Sequence, residues 1–112
     1  GNINATSYQI GGIAGFAKGT ITDCTNFGDV KSTGSGYVGG IGGAAKDAKG
    51  SRSNCVNYGN ISGTDYVGGC FGQITATTTD CYSYGTAKII NSTKTNVGDV
   101  VGSGASYLKY ND

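Results

Sequence analysis

Apolar residues return along this chain at a nearly fixed distance, and each time the same glycines follow them. The pattern aliphatic-Gly-Gly-x-x-Gly starts at Ile10, Val38 and Val67, and in degraded form at Val97, so its steps are 28, 29 and 30 residues. A period of this size is typical of repeat proteins, in which one unit cannot bury its apolar side alone and stacks on its neighbours. The pattern predicts repeats at about 9–36, 37–65 and 66–95 and a partial repeat at 96–112.

A second motif, Cys-x-Asn/Ser-aromatic-Gly, runs in phase with the first and starts at Cys24, Cys55 and Cys81. It begins nine residues after the last glycine of the first motif in repeats one and three, and twelve residues after it in repeat two. We therefore expect an insertion of three residues within 45–53. Two motifs in a common phase make chance similarity a poor explanation of the repeat.

The residue types within each repeat predict strands. Frequent Gly, Thr, Ser and Asn are unfavourable in helix interiors, whereas short runs of Val, Ile, Tyr, Thr and Cys between Gly and Asn indicate strands and turns. We expect two or three strands in each repeat, with equivalent strands side by side in parallel sheets. The prediction is an all-β fold, a parallel β-solenoid of about three and a half coils.

In such a stack, equivalent residues form columns that run along the solenoid axis. Apolar residues in every repeat predict that a column faces the interior, where each buried aliphatic side chain contributes roughly 1.5–3 kcal/mol. The predicted interior columns are Val38, Val67 and Val97; Ile13 and Ile41; and Cys24, Cys55 and Cys81. The paired glycines between the first two columns are expected to bend the chain and to approach the opposite sheet closely.

The residues after each cysteine predict a corner. Asn26 and Asn57, with Ser83 in the third repeat, are expected to bond backbone groups and to form a hydrogen-bonded ladder between coils. We expect Gly28, Gly59 and Gly85 to provide a positive φ there. The aromatic residues between them, Phe27, Tyr58 and Tyr84, are expected to stack on one ridge.

Composition narrows the range of functions. The chain has 112 residues, a net charge of +1, 13% charged residues, 22 Gly, and no Pro, Met, Trp or His. So little charge argues against a nucleic-acid partner, and no apolar run approaches the roughly 18 residues of a membrane span. The absence of His excludes a Ser-His-Asp triad, a Cys-His pair and a His-ligated zinc within this chain. We expect no cofactor, no metal ligand and no catalytic residue.

The start of the chain resembles the end of a repeat. Gly1-Asn2-Ile3 matches Gly59-Asn60-Ile61, and the fourth repeat ends before a Cys-x-Asn motif. We expect a single domain over 1–112 that is a fragment of a longer chain. The last residues, 103–112, either cover the final coil or mark where the fragment was cut.

The cysteines and aspartates allow alternative chemistries. A column presents Cys24, Cys55 and Cys81 in a line, which does not suit tetrahedral metal binding, so we expect small buried side chains. Cys70 lies on the opposite strand, and a disulfide from it to Cys55 or Cys81 stays open. The aligned Asp23, Asn54 and Asp80 suggest Ca²⁺ binding or acid–base catalysis. However, the middle residue is an amide and the two aspartates are two coils apart, which favours a solvated corner.

Two groups of residues are candidates for a ligand-binding surface. The insertion carries the basic residues Lys46, Lys49 and Arg52, which suit an acidic glycan or protein patch. Tyr37 and Tyr66 precede the Val-Gly-Gly runs and predict an exposed aromatic strip suited to sugar stacking or protein contact. Tyr58, Tyr82 and Tyr84 are further candidates on the neighbouring ridge.

The repeat also resembles a known family. Gly12-Ile13-Ala14-Gly15, Gly40-Ile41-Gly42-Gly43 and Gly69-Cys70-Phe71-Gly72 are similar to the Gly-aliphatic-x-Gly core of the GLUG motif. The frame that continues into Cys-x-Asn-x-Gly-x-Val resembles the longer GLUG consensus over about residues 9–102. The resemblance implies large secreted or wall-anchored bacterial proteins, including adhesins and IgA-cleaving metallopeptidases, in which the repeats are non-catalytic.

Taken together, these patterns predict a non-enzymatic structural and adhesive segment at the bacterial cell surface or outside the cell. Its expected partner is a host protein or glycan. An accessory repeat region of an extracellular enzyme is the second hypothesis, and a β-helix polysaccharide lyase is the third. Because open solenoid ends expose unpaired strand edges, we also expect end-to-end self-association.

Overall fold

The computed structural model describes residues 3–5, 9–12, 14–17, 21–34, 36–45, 52–75, 77–90 and 93–109. These residues form nineteen short strands and one short 3-10 helix. The chain winds into a stack in which each turn contains five strands, and each strand pairs in parallel with the strand five positions later.

Each turn of the stack contains the same succession of strands. The first strand is β1 (Ile3–Ala5), and the next turn contains β2 (Gln9–Gly11), β3 (Ala14–Ala17), β4 (Ile21–Thr22), β5 (Thr25–Asn26) and β6 (Val30–Ser32). The following turn contains β7 (Tyr37–Gly39), β8 (Gly42–Ala45), β9 (Arg52–Ser53), β10 (Val56–Asn57) and β11 (Ile61–Gly63). The third contains β12 (Val67–Gly68), β13 (Phe71–Ile74), β14 (Thr78–Thr79), β15 (Tyr82–Ser83) and β16 (Ala87–Ile89). The chain then forms β17 (Val97–Gly98), β18 (Val101–Ser103), the 3-10 helix Ala105–Tyr107 and β19 (Leu108–Lys109).

Equivalent strands form five parallel sheets in the described part of the chain. We name them sheet A (β1, β6, β11, β16), sheet B (β2, β7, β12, β17), sheet C (β3, β8, β13, β18), sheet D (β4, β9, β14, β19) and sheet E (β5, β10, β15). In sheet B the register joins Ile10, Val38, Val67 and Val97, which are the residues that start the sequence repeat. The predicted parallel β-solenoid is confirmed. The expected two or three strands per repeat are wrong, because extra corners divide each repeat into five.

The second turn absorbs additional residues without losing register. Residues 18–20 separate β3 from β4, whereas residues 46–51 separate β8 from β9. Nevertheless, β9 pairs in parallel with β4 on one side and with β14 on the other. In chain order, the additional residues therefore fall between the sheet C strand and the sheet D strand of this turn. At the other end of the chain, β19 pairs with β14, so residues 108–109 continue the coil.

The corner before sheet E has an unusual backbone in every turn. Asp23, Asn54 and Asp80 have φ values of 56°, 55° and 53°, in the left-handed region. Asp and Asn are the non-glycine residues that enter this region most readily, because their short polar side chains bond locally. The sequence column of Asp and Asn is thus explained by backbone geometry.

The prediction for the glycines after the aromatic residues is wrong. Among the described glycines, positive φ is found at Gly36 and Gly104, not at Gly28, Gly59 or Gly85. Close packing between coils explains Gly59 and Gly85 instead: a Cβ on Gly59 would collide with the carbonyl of Gly28, and one on Gly85 with the carbonyl of Gly59.

The interior contains two apolar clusters. One is formed by sheets C and D and the corners on either side of them, with Ile41, Cys55, Cys70, Phe71, Ile74, Cys81 and Val101. The other lies between sheets A and B and contains Val30, Val38, Ile61 and Val67. Val97 was expected in the core but is 41% exposed, because β17 is an edge strand of sheet B and has a neighbouring strand on one side only. Ile13 lies outside the described residues.

A polar column crosses the interior between these clusters. The second glycine of each Gly-Gly pair faces the Asn or Ser of sheet E in the same coil: Gly12 faces Asn26, Gly40 faces Asn57, and Gly69 faces Ser83. A Cβ on any of these glycines would collide with that polar side chain. The first glycine has a different role, because a Cβ on Gly39 or Gly68 would collide with the carbonyl three residues later, where the chain bends.

The buried Asn57 uses its full hydrogen-bonding capacity. Its Nδ2 donates to the carbonyl of Gly59 at 2.8 Å and to Oγ of Ser83 at 3.1 Å. Its Oδ1 accepts from the N–H of Gly59 at 3.1 Å and from Nδ2 of Asn26 at 2.8 Å. Two donors and two acceptor sites are all that an amide offers. The predicted ladder of hydrogen bonds between coils is confirmed.

Replacing Gly59 with alanine tests this close packing. Gly59→Ala places a methyl group against the backbone of the preceding coil, and overpacking of this kind costs about 1–3 kcal/mol. We expect the free energy of unfolding, measured by denaturant titration, to fall by that amount. Ser62→Ala, on the outward side of sheet A, should change it by less than about 0.5 kcal/mol. Equal stability of the two variants would contradict the close approach of the coils at Gly59.

Candidate functional site

The segment from sheet E into sheet A alternates strictly between outward and inward residues. Thr25, Phe27 and Asp29 are exposed, whereas Asn26, Gly28 and Val30 are buried. Successive side chains of an extended chain point to opposite sides, so the buried asparagine fixes the aromatic residue after it on the outside. The same phase recurs in the next two coils, where Tyr58 and Tyr84 are exposed.

These outward aromatic residues form a continuous stack, which we call the aromatic column (Phe27, Tyr58 and Tyr84). The ring centroids of Phe27 and Tyr58 are 5.1 Å apart with an interplanar angle of 5°. Those of Tyr58 and Tyr84 are 5.3 Å apart at 18°. Phe27 is 76% exposed, Tyr84 70% and Tyr58 49%. The predicted aromatic ridge is confirmed, and its rings cover one another's faces while their edges meet solvent.

A second, exposed polar column, formed by Asp29, Asn60 and Thr86, borders the aromatic column on its sheet A side. Oδ1 of Asp29 accepts the N–H of Asn60 at 2.8 Å. Oδ1 of Asn60 accepts the N–H of Thr86 at 3.1 Å and its hydroxyl at 3.0 Å. Each coil is therefore tied to the next by a side chain at this exposed position, which holds the neighbouring aromatic residues in register.

The left-handed corner lies on the other side of sheet E. Asp23 and Asn54 are exposed there, and Asp80 is half-buried. Between this corner and the aromatic column lie the outward residues of sheet E itself, Thr25, Val56 and Tyr82, which are paired in register. Three parallel columns thus make up this surface, which we call the sheet E face.

The tyrosines expected to form a binding strip are largely occupied with each other. The ring centroids of Tyr37 and Tyr66 are 4.7 Å apart, tilted by 51°, and both residues are half-buried. Tyr66 has a φ of 50°, which is rare for a bulky residue, and its N–H donates to Oδ1 of Asp65 at 2.9 Å. Their position favours packing at the corner between sheets A and B over ligand contact.

The expectation that Arg52 belongs to a solvent-facing basic patch is wrong. Arg52 is 1% exposed and is the largest fully buried side chain among the described residues. It occupies the inward position of sheet D, in register with Ile21 and Thr78, and its Nη2 donates to the carbonyl of Thr77 at 3.1 Å. The inward phase of β9 explains this burial. Lys46 and Lys49 lie outside the described residues.

The four cysteines are free thiols, three of them fully buried and Cys24 partly so. Backbone bonds from Val56 to the carbonyl of Cys24 and from Tyr82 to that of Cys55 place the three equivalent cysteines in adjacent coils. Among the described residues, no group of three or more Cys, Asp, Glu or His has the arrangement of a metal site.

Burial and a hydrogen bond between two of the thiols shift their pKa values. Burial raises the pKa of Cys24 and raises that of Cys70 to about 12. The hydrogen bond between Cys81 and Cys55 raises the pKa of Cys81 and lowers that of Cys55. Sγ of Cys70 donates to the carbonyl of Tyr82 at 3.1 Å. Thiolate is the reactive form, so the raised pKa values of Cys24, Cys70 and Cys81 favour inert thiols. The pKa of Cys55 is lowered, and its complete burial limits access of reagents to it.

The exposed aromatic residues were only partly anticipated as a site. The sequence pattern identified Tyr58, Tyr82 and Tyr84 as secondary candidates and placed Phe27 on a ridge without a binding role. The useful signal was the period of two around a buried asparagine, since the residue after that asparagine must point outward. Asp23 and Asp80 were assigned to a solvated corner, and their place beside the aromatic residues follows only from the fold.

No protein-family model, curated protein or solved structure matches this chain. Among the described residues, no helix has the length and apolar character needed to cross a membrane.

The state of the thiols gives a direct prediction. At pH 8 we expect a thiol reagent to modify Cys24 before the three fully buried thiols, and all four thiols to react in denaturant. Because the folded pKa of Cys70 lies above the unfolded value of 9.0, its protonated form contributes stability at pH 8. That contribution is lost as the pH rises towards 12. Finding fewer than four thiols in the denatured, unreduced protein would instead reveal the disulfide left open by the sequence.

Proposed function

We propose that this chain is a non-enzymatic structural and adhesive segment of a large bacterial cell-surface or secreted protein. It acts as a rigid spacer and presents the sheet E face to a host macromolecule. The observation that carries the proposal is the aromatic column, three exposed rings stacked in register on coils that are hydrogen-bonded to one another.

The size of the exposed apolar surface supports a binding role. An aromatic side chain has a surface area of roughly 200 Å². With the exposed fractions of Phe27, Tyr58, Tyr82 and Tyr84, about 450 Å² of aromatic surface is in contact with water. Apolar patches of about 300–600 Å² are the largest on typical monomers and are often functional. The resemblance to GLUG repeats of secreted and wall-anchored proteins supports the proposed location.

The ring geometry favours a protein partner over a glycan. Sugars stack on ring faces, whereas the faces between neighbouring coils are covered by the next ring in the column. Ring edges and tyrosine hydroxyls remain accessible, and these suit the apolar and hydrogen-bonding contacts of a protein interface.

A defined panel of purified host matrix proteins and glycans tests the proposal. We expect the chain to bind at least one panel member, and Phe27→Ala/Tyr84→Ala to weaken that binding by about tenfold or more, since exposed aromatic residues dominate interface energies. Tyr107→Ala, which removes an exposed ring elsewhere, should leave it unchanged.

Two results would overturn the proposal. Binding to no panel member would leave only the spacer role. Turnover of an acidic polysaccharide by the isolated chain would show that it is an enzyme.

A further inference from the structure

The sheet E face combines aromatic residues with negative charge. Its three columns contain Asp23, Asn54 and Asp80; Thr25, Val56 and Tyr82; and Phe27, Tyr58 and Tyr84. None of these nine residues is basic. Asp29 adds a third carboxylate beyond the aromatic column. Lys31 and Lys88 belong to sheet A, on the far side of the next corner.

From this arrangement we propose that the sheet E face binds a basic, extended polypeptide segment that runs along the solenoid axis. The proposal rests on the proposed adhesive function and specifies its partner class. Carboxylates at the corner attract the cationic groups. The aromatic column provides apolar surface for the aliphatic stems of Lys and Arg, which lie along such surfaces while their charged ends stay in water.

The spacing of the carboxylates restricts the conformation of the partner. Asp23 and Asp80 are two coils apart, and Asn54 lies between them. With about 4.8 Å between neighbouring strands, the two aspartates are separated by roughly 10 Å. A polyproline II segment repeats every three residues over about 9 Å. Basic residues at every third position of such a segment therefore match the charged coils.

Charge also argues against a second copy of the chain packed on this face with its axis opposed to the first. Packing two identical faces with opposed axes would bring the aspartates of both copies to the same border of the interface. Like charges placed opposite each other are destabilising. A basic partner removes that repulsion, and its attraction is stronger at low salt because surface charges are screened.

Synthetic peptides provide a matched test with the whole chain. The probe is a blocked peptide of about nine residues in which lysine follows each pair of prolines, so that it adopts polyproline II structure. Comparison peptides carry glutamate in place of lysine, or the same residues with the lysines adjacent. Binding is followed by titration calorimetry and by amide chemical shifts.

We expect the regularly spaced lysine peptide to bind with a Kd below about 1 mM at low salt and to shift the amides of residues 23–29, 54–60 and 80–86. Asp23→Asn/Asp80→Asn should weaken binding by about tenfold, since each exposed charge pair contributes a factor of up to about five. This variant keeps the left-handed corner, because the chain itself has Asn54 there. Asp99→Asn, which removes one negative charge at an exposed position elsewhere, should have no effect.

Several outcomes would overturn the inference. They are no detectable binding at millimolar peptide, equal binding of the glutamate or adjacent-lysine peptide, or unchanged affinity of Asp23→Asn/Asp80→Asn. Binding of a neutral oligosaccharide on this face in place of the peptide would assign it to glycans, and self-association detected by sedimentation would assign it to a second copy. Glycan binding would leave the adhesive function standing, whereas failure of the panel experiment would remove both proposals.

Discussion

The structure depends on a contact between the smallest residue and a short amide across the interior. In each of the first two coils the second glycine of the Gly-Gly pair lies against a buried asparagine of sheet E. Val38 and Val30 lie on one side of this contact, and Ile41 and Cys55 lie on the other, in separate apolar clusters. A buried amide is tolerated only when its hydrogen bonds are made. In this solenoid the asparagines make these hydrogen bonds within their own corner and to the next coil. The buried amides therefore fix both the geometry of the corner and the register of the coils.

This contact also determines the surface. Once the asparagine points inward, the residues on either side of it must point outward, and the coil spacing then brings equivalent aromatic residues into contact. The exposed rings are therefore held in place by the core and by the exposed polar column that runs from Asp29 to Thr86, and no separate loop positions them. A surface organised in this way is rigid before a partner arrives, which reduces the entropy lost on binding. The same arrangement places an acidic corner beside the aromatic residues in the first and third coils, but a neutral amide in the second.

The sequence allowed the repeat, the solenoid, the ladder of amides and the stack of Phe27, Tyr58 and Tyr84 to be predicted, because periodicity directly encodes which residues become neighbours. It did not reveal why Gly59 and Gly85 are glycines, because a close approach between coils and a positive φ both select glycine in the sequence. Arg52 was misplaced for a related reason: charge and a neighbouring insertion suggested solvent, whereas the phase of a two-residue strand decides burial. The sheet E face was predicted only in part, because Asp23 and Phe27 are brought to the same surface only by the geometry of one corner. Val97 shows a further limit, since an apolar residue in a column is buried only where another coil covers it.

Successive turns lie in register, coil over coil, with the asparagines of sheet E bonded between them. Scalar couplings across hydrogen bonds, measured by NMR on the isotopically labelled chain, test this register most directly. We expect couplings from the amide of Val56 to the carbonyl of Cys24, from the amide of Tyr58 to the carbonyl of Asn26, and from the amide of Tyr82 to the carbonyl of Cys55. Couplings from these amides to other carbonyls, or rapid exchange of these amides with solvent, would contradict it.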